Sequence, residues 1–363
     1  MTSTTSEPDR LPVSILTGFL GSGKTTLLSK LMHHPEMDRI AVIVNEFGEV
    51  GLDDALVMES NEDVVLLNSG CLCCTVRGDL VDTLKRLFKE RAKGLVPDFD
   101  RIVVETTGLA DPAPILHTMM ADPFLVTRFR LDGVITVVDV HHAMEQFDKQ
   151  FESVKQAAVA DRIVLTKTDV TDRDQVAQVE TRLAELNPAA PVVRAVQGDV
   201  APSVLFNAGL YNPKTKSADV SQWLREEAYR ATEGHVHHHD HHDDHAHDHG
   251  HHHHDVSRHD DHIRSFVLYF DEPLEWNRIA GALDMMAQTH GANILRIKGL
   301  LNLKELADEP VVVHAVQHMF HPPAKIEKWP DEDRRSRLVF IVRDLDKKTI
   351  ESVMNSYLAL EFA

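Results

Sequence analysis

A chain of 363 residues with 43% hydrophobic content has ample apolar material for a buried core, and its length points to two folded domains. The formal charge of −19 argues against nucleic acid as a partner, because binders of a phosphate backbone need a basic face to displace condensed counterions. No apolar run approaches ~20 residues and the N-terminal stretch lacks the basic start and apolar core of a secretion signal, so no membrane partner is expected and the expected compartment is the cytoplasm.

Taken in chain order, residues 1–10 show no pattern and are expected to form a disordered tail. From 11 to 206, short β-branched runs at 13–17, 40–45, 101–105, 134–139, 163–166 and 192–195 alternate with helical patterns at 24–32, 79–89 and 173–186. That alternation predicts an α/β fold with a doubly wound, mostly parallel sheet, which binds ligands at the carboxyl ends of its strands.

The first predicted strand ends in Gly18-Phe19-Leu20-Gly21-Ser22-Gly23-Lys24-Thr25, which satisfies G-x-x-x-x-G-K-[ST] in the strand-to-helix context the pattern requires, with Thr26 next in the helix. Glycines let backbone N–H groups wrap phosphates, Lys24 reaches the β/γ-phosphates, and the Thr25 hydroxyl suits Mg²⁺. Strand 101–105 runs into Glu105-Thr106-Thr107-Gly108, which places an acid for Mg²⁺ and a glycine backbone for the γ-phosphate. Strand 163–166 ends in Thr166-Lys167-Thr168-Asp169, an N-K-x-D element with Thr in place of Asn. A carboxylate at Asp169 matches the N1 and N2 donors of guanine and not the ring edge of adenine, so GTP is the expected nucleotide. Asp139, at the end of another apolar strand, reads as a helix cap. No glutamine or arginine stands where it would orient the attacking water, so slow intrinsic hydrolysis is expected.

All three cysteines, Cys71, Cys73 and Cys74, fall between the predicted strands, too close together for a disulfide framework. They follow the apolar run 64–67, so the cluster is expected on a turn at a strand end. Soft thiolates favour Zn²⁺ or Cu(I), and Glu49 in Asn45-Glu46-Phe47-Gly48-Glu49 is the candidate for a fourth ligand. A redox dithiol or inert buried thiols are the alternatives; adjacent cysteines bridge only with strain.

Residues 207–262 read as a linker whose stretch from 235 to 262 holds fifteen histidines and seven aspartates. Such a segment is expected to be disordered without metal and to collect several ions weakly. Beyond it, strands at 265–270, 294–303, 311–316 and 338–342 with a helix at 274–288 predict a small α+β domain over 263–363. His314, His318 and His321 are expected to be packed or hydrogen-bonded, and His33, His34, His141 and His142 to lie at helix ends, where a partial positive charge is structurally sufficient.

Together the segments 18–26, 45–49, 70–74, 105–112 and 166–169 resemble the CobW-like family of P-loop GTPases in order and separation, and Arg296-Ile297-Lys298-Gly299 with Trp329 extends the resemblance into a CobW-type C-terminal domain. The resemblance implies a GTP-hydrolysing zinc chaperone that passes metal from its Cys-x-Cys-Cys site to a client zinc metalloprotein. Cobalt delivery for cobalamin synthesis and a non-catalytic zinc buffer are the alternatives, and a homodimer is compatible with the sequence. Some relatives carry glutamate where this chain has Val44, which puts in doubt any accessory metal site using that position.

Overall fold

The computed structural model describes residues 10–37, 39–45, 64–66, 72–76, 80–206, 263–306, 309–326 and 328–359, with backbone alone for Asn45, 64–66 and 72–76. Glu49, Cys71 and the histidine-rich stretch lie outside the described residues.

Near-continuous apolar runs form the first sheet because a parallel sheet is covered on both faces. Its strands are β1 (Leu11–Thr17), β2 (Ile40–Asn45), β3 (Val64–Leu66), β4 (Leu72–Val76), β5 (Arg101–Thr106), β6 (Phe129–Asp139), β7 (Arg162–Thr166) and β8 (Val192–Arg194), in the order β3-β4-β2-β5-β1-β6-β7-β8. All neighbours are parallel except the edge pair β3 and β4. The helices are α1 (Lys24–Met32), α2 (Leu80–Ala92), α3 (Ala113–Ala121), α4 (Pro123–Arg128), α5 (Ala143–Lys149), α6 (Phe151–Ala158), α7 (Arg173–Leu186) and α8 (Pro202–Leu205). Strand alternation divides the core: Ile15 and Ile43 pack with Leu84, Leu87 and Leu116 on one face, and Leu16, Val42 and Val44 with Leu27, Leu28 and Leu31 on the other.

Two expectations change here. The β6 strand begins at Phe129 rather than 134 because the charged stretch before it is neutralised: Asp132 is buried and pairs with Arg101 and Arg130. The backbone of Cys73 and Cys74 belongs to β4 and not to a turn, since the run LCCTV finds ladder partners on both sides, in β2 and β3.

In the C-terminal part, β9 (Ile263–Phe270), β10 (Ile294–Leu301), β11 (Val311–Val316), β12 (Met319–Phe320) and β14 (Ser336–Arg343) form an antiparallel sheet ordered β12-β11-β10-β14-β9, with β13 (Ala324–Lys325) on β11. The helices α9 (Trp276–His290) and α10 (Lys347–Leu358) cover one face through Ile279, Leu283, Ile350 and Met354. Among the described residues no helix is long and apolar enough to cross a membrane.

The second sheet meets the first through a buried ionic contact. Asp161, which precedes β7, accepts from Arg296 and from Lys298 Nζ at 2.7 Å, and Arg296 also donates to the Val159 carbonyl. Its other oxygen takes the Val134 N–H at 2.9 Å. Burial alone would raise the Asp161 pKa, but Arg296 and Lys298 outweigh it and hold the carboxyl well below the usual range. Burial and Arg296 push Lys298 down to about 8, against the pull of Asp161.

Nearby histidines give the fold an acid limit. Burial lowers His314 well below 6.5 and pushes His321 down from 6.5 to about 4. The unfolded chain therefore takes up protons first as pH falls, so stability should drop between pH 6.5 and 4, by on the order of 3 kcal/mol from His321 alone. Urea titrations across this range should show the midpoint falling, with a shallower slope in His321→Asn; an unchanged slope in that variant would remove His321 from the account.

Candidate nucleotide site

The phosphate loop is built by backbone conformation. Gly18 sits at φ 142°, and a Cβ there would lie 2.2 Å from the Val137 carbonyl oxygen, so no side chain fits. Lys24, buried in the first turn of α1, donates to the carbonyls of Gly18 at 2.8 Å and Phe19 at 3.1 Å. Its ammonium thus lies inside the loop where phosphate oxygens would be met. Thr25 and Thr26 are exposed on the same turn, and Gly21, Ser22 and Gly23 complete the loop.

At the end of β5, Glu105 is buried and its Oε1 accepts from the Thr25 hydroxyl at 3.4 Å. A hydroxyl and a carboxylate at this separation are hard oxygen donors of the kind Mg²⁺ takes while keeping several waters. Gly108 presses on the phosphate loop: a Cβ there would stand 2.6 Å from Leu20 N and 2.8 Å from Leu20 Cα. The turn after Glu105 is therefore seated against the phosphate loop itself.

Thr166 at the end of β7 donates to the Ser22 carbonyl at 2.7 Å, so a threonine supplies a tie between this strand end and the phosphate loop. Lys167 takes a left-handed φ of 59° and its Nζ lies 2.7 Å from Asp139 Oδ2. Asp169, three residues after Thr166, is exposed.

Asp139 is not the helix cap expected from its position, since the N-cap of α5 is His142 and no side chain caps it. It does accept the His141 N–H at 3.0 Å, but it is buried and its Oδ2 holds both Lys167 and His142 Nδ1. Burial opposes ionisation of Asp139, and Lys167 and His142 outweigh it, lowering its pKa. The signal in the sequence is an acid ending an apolar strand; its pairing with Thr166 emerges only in the sheet.

His141 and His142 stand at the N-terminus of α5, where the helix dipole disfavours positive charge; the Asp139 carboxylate, not the dipole, accounts for His142. A further contact the sequence did not suggest is the turn after β8, where Gly198 packs against α1, so close that a Cβ would lie 3.0 Å from the Thr26 carbonyl oxygen. Gln156 of α6, also unsuspected, donates to the carbonyls of Gly108 and Ala110.

For the metal candidates, the described backbone places Cys73 beside Val42 and Cys74 beside Ile43, two residues before Asn45. Among the described residues no three His, Cys, Asp or Glu side chains are grouped to hold a metal ion. His314 and His321 are buried and the His318 ring packs edge-to-face with that of His117 at 4.6 Å, in keeping with their expected packing roles.

Comparison with known proteins agrees with this architecture. The CobW/HypB/UreG nucleotide-binding domain matches residues 12–194, and the cobalamin synthesis protein cobW C-terminal domain matches residues 263–358. The zinc chaperone YjiA of Escherichia coli is 33% identical over 344 residues, covering 94% of this chain and 97% of that protein. The zinc chaperone CobW of Pseudomonas aeruginosa is 33% identical over 387 residues, covering 96% and 92%. The zinc-regulated GTPase metalloprotein activator 1 of Saccharomyces cerevisiae is 28% identical over 384 residues, covering 97% and 84%.

The crystal structure of zinc-bound YjiA GTPase superimposes with a TM-score of 0.70 at 31% identity, covering 96% of this chain and 99% of that one. A triple mutant of YjiA with a glutamate and two cysteines changed to alanine is also zinc-bound. From its phosphate loop to its C-terminal sheet, this chain belongs to the CobW/HypB/UreG family of nucleotide-binding proteins and carries the CobW C-terminal domain.

Proposed function

We propose that this chain is a GTP-hydrolysing zinc chaperone that binds Zn²⁺ at Cys71, Cys73 and Cys74, with Glu49 as the fourth ligand, and releases it to a client metalloprotein in the cytoplasm. Three thiolates with one exchangeable carboxylate suit transfer better than a closed four-sulfur site. The observation that carries the coupling is strand adjacency. Ile43 of β2 is paired with Cys74 of β4 on one side and Val104 of β5 on the other, so the cysteine strand, the strand leading to 45–49 and the strand leading to Glu105 are consecutive.

In this reading the backbone of Gly18, Gly21, Ser22 and Gly23 cradles the phosphates and Lys24 offsets their charge, while Thr26 supports the first turn of α1. Thr25 and Glu105 hold Mg²⁺, which when bound neutralises charge on the β- and γ-phosphates. Gly108 presents its N–H to the γ-phosphate, and Thr166, Lys167 and Asp169 take the guanine. The nucleotide domain spans 11–206, the linker at 207–262 gathers zinc weakly, and 263–363 forms the C-terminal domain, where position favours client docking.

A zinc buffer is the second reading, favoured by the zinc held in the relative whose glutamate and cysteines were removed. The two separate by linkage, because a nucleotide that alters zinc affinity must have its own affinity altered equally by zinc. Zinc affinity, measured by chelator competition on a variant lacking residues 235–262, should differ about tenfold between GDP and a non-hydrolysable GTP analogue, a coupling of ~1.4 kcal/mol. Equal affinities would leave buffering as the better account.

Base recognition has its own test. In Asp169→Asn the carboxylate that accepts from guanine is replaced by an amide that donates, so GTP affinity should fall roughly a hundredfold, about 2–3 kcal/mol, while xanthosine triphosphate gains. An unaltered GTP affinity would remove Asp169 from the base site.

A further inference from the structure

The turn beyond Glu105 is clamped by a helix that no phosphate motif includes. Gln156, 1% exposed on α6, donates its side-chain amide to the carbonyl oxygens of Gly108 at 3.2 Å and Ala110 at 3.0 Å. Two carbonyls facing one atom require the NH₂ end of the amide there, so the donors are committed to this turn. The preceding residue, Lys155, pairs with Asp111 at 2.9 Å, and Asp111 in turn accepts the Ala113 N–H that starts α3. Consecutive residues of α6 thus hold positions 108, 110 and 111.

Just past its C-terminus, the same segment reaches the C-terminal domain. The Val159 carbonyl and the Asp161 carboxylate both accept from Arg296, and Asp161 accepts from Lys298. Val159 caps α6, its N–H donating to the Lys155 carbonyl at 3.0 Å, so a shift of Arg296 against the Val159 carbonyl is passed to the end of the helix that carries Gln156. A second strut runs from the other end of the clamped turn, where His117 Nε2 of α3 lies 3.0 Å from the Val316 carbonyl oxygen of β11. Because Gly108 already sits against Leu20 with no room for a Cβ, displacement of the turn changes its fit to the phosphate loop directly.

We propose that Gln156 is a positioning residue for GTP hydrolysis, holding Gly108 and Ala110 against the phosphate loop, and that α6 makes this position depend on the Arg296–Lys298–Asp161 contact with the C-terminal domain. The inference rests on the reading of the chain as a GTPase. It gives whatever engages the C-terminal domain a mechanical route to the hydrolysis rate, since placement of reacting groups within about 1 Å governs rates by up to a hundredfold.

The test uses the full chain with Gln156→Met, which keeps side-chain length and removes both donors, and Gln156→Glu, which replaces them with an acceptor. GTP hydrolysis should show kcat reduced tenfold or more in both variants, with KM for GTP and GDP affinity within about twofold of the parent. Unchanged kcat, or a rise in KM alone, overturns the positioning role. Hydrogen exchange of the 107–112 amides in nucleotide-free protein requires no catalysis and so separates this inference from the GTPase reading. Exchange there should quicken at least tenfold in Gln156→Met and also in Lys298→Met, with segment 24–32 unaffected. If Lys298→Met loosens 159–161 and leaves 107–112 unchanged, the link to the C-terminal domain is overturned; if Gln156→Met leaves it unchanged, the clamp is.

Discussion

A carboxylate with 5% of its side-chain surface exposed must find its counter-charges within the protein, and Asp161 finds both in the other domain. Removing each ion from water costs several kcal/mol, recovered only when geometry and hydrogen bonding are complete. The carboxylate is satisfied on both sides: one oxygen takes Arg296 and Lys298, the other the Val134 N–H. The arrangement stabilises one mutual orientation of the two sheets more than it adds net stability, because any other orientation would leave three buried charges uncompensated. Its position matters as well. Asp161 joins the end of α6 to the start of β7, so the contact touches the helix that grips the Gly108 turn and the strand that delivers Thr166 and Lys167.

The site follows the same logic of satisfying polar groups with neighbouring loops. Lys24 takes carbonyls of its own loop, Thr166 ties that loop to β7, and Lys167 is held to β6 by Asp139. The last two contacts each link two strand ends, so the phosphate loop and the residues proposed to take the base are registered to each other before a nucleotide arrives, which lowers the ordering cost of binding. Net acidity does not oppose a triphosphate ligand here, because backbone N–H groups and one buried lysine supply the local positive field.

Much of this was legible in the sequence because local rules and the fold agree. The phosphate loop is set by glycine stereochemistry and by the strand and helix around it, so α1 at Lys24–Met32 and α7 at Arg173–Leu186 fall where periodicity placed them. At the α7 start the Asp172 carboxylate accepts from the Asp174 and Gln175 N–H groups, so the cap and the apolar spacing agree. What could not be read depended on partners distant in sequence. Gln156 has no local signature; its role comes from carbonyls 46 to 48 residues away. Asp139 looked like a cap because capping needs only the next residues, whereas its buried oxygen also serves Lys167 across the sheet. The β4 strand escaped because a cysteine-rich run reads as a site before it reads as a strand, and only its pairing with β2 shows the difference.

These contacts place one short turn between two inputs. From one side, β5 is paired with β2, which is paired with the strand bearing Cys73 and Cys74; from the other, α6 and α3 brace the same turn against the C-terminal sheet. A turn reached from only one side could report on metal or on partner, but not on both. Packed elements settle into discrete arrangements rather than deforming continuously, so a turn braced on both sides has its position determined jointly. If the proposed roles hold, hydrolysis becomes a step conditional on two occupancies, metal in the cysteine cluster and a partner at the C-terminal domain. Such conditionality is what delivery requires, since a chaperone that hydrolysed on either signal alone would release zinc without a recipient or close on a recipient without zinc.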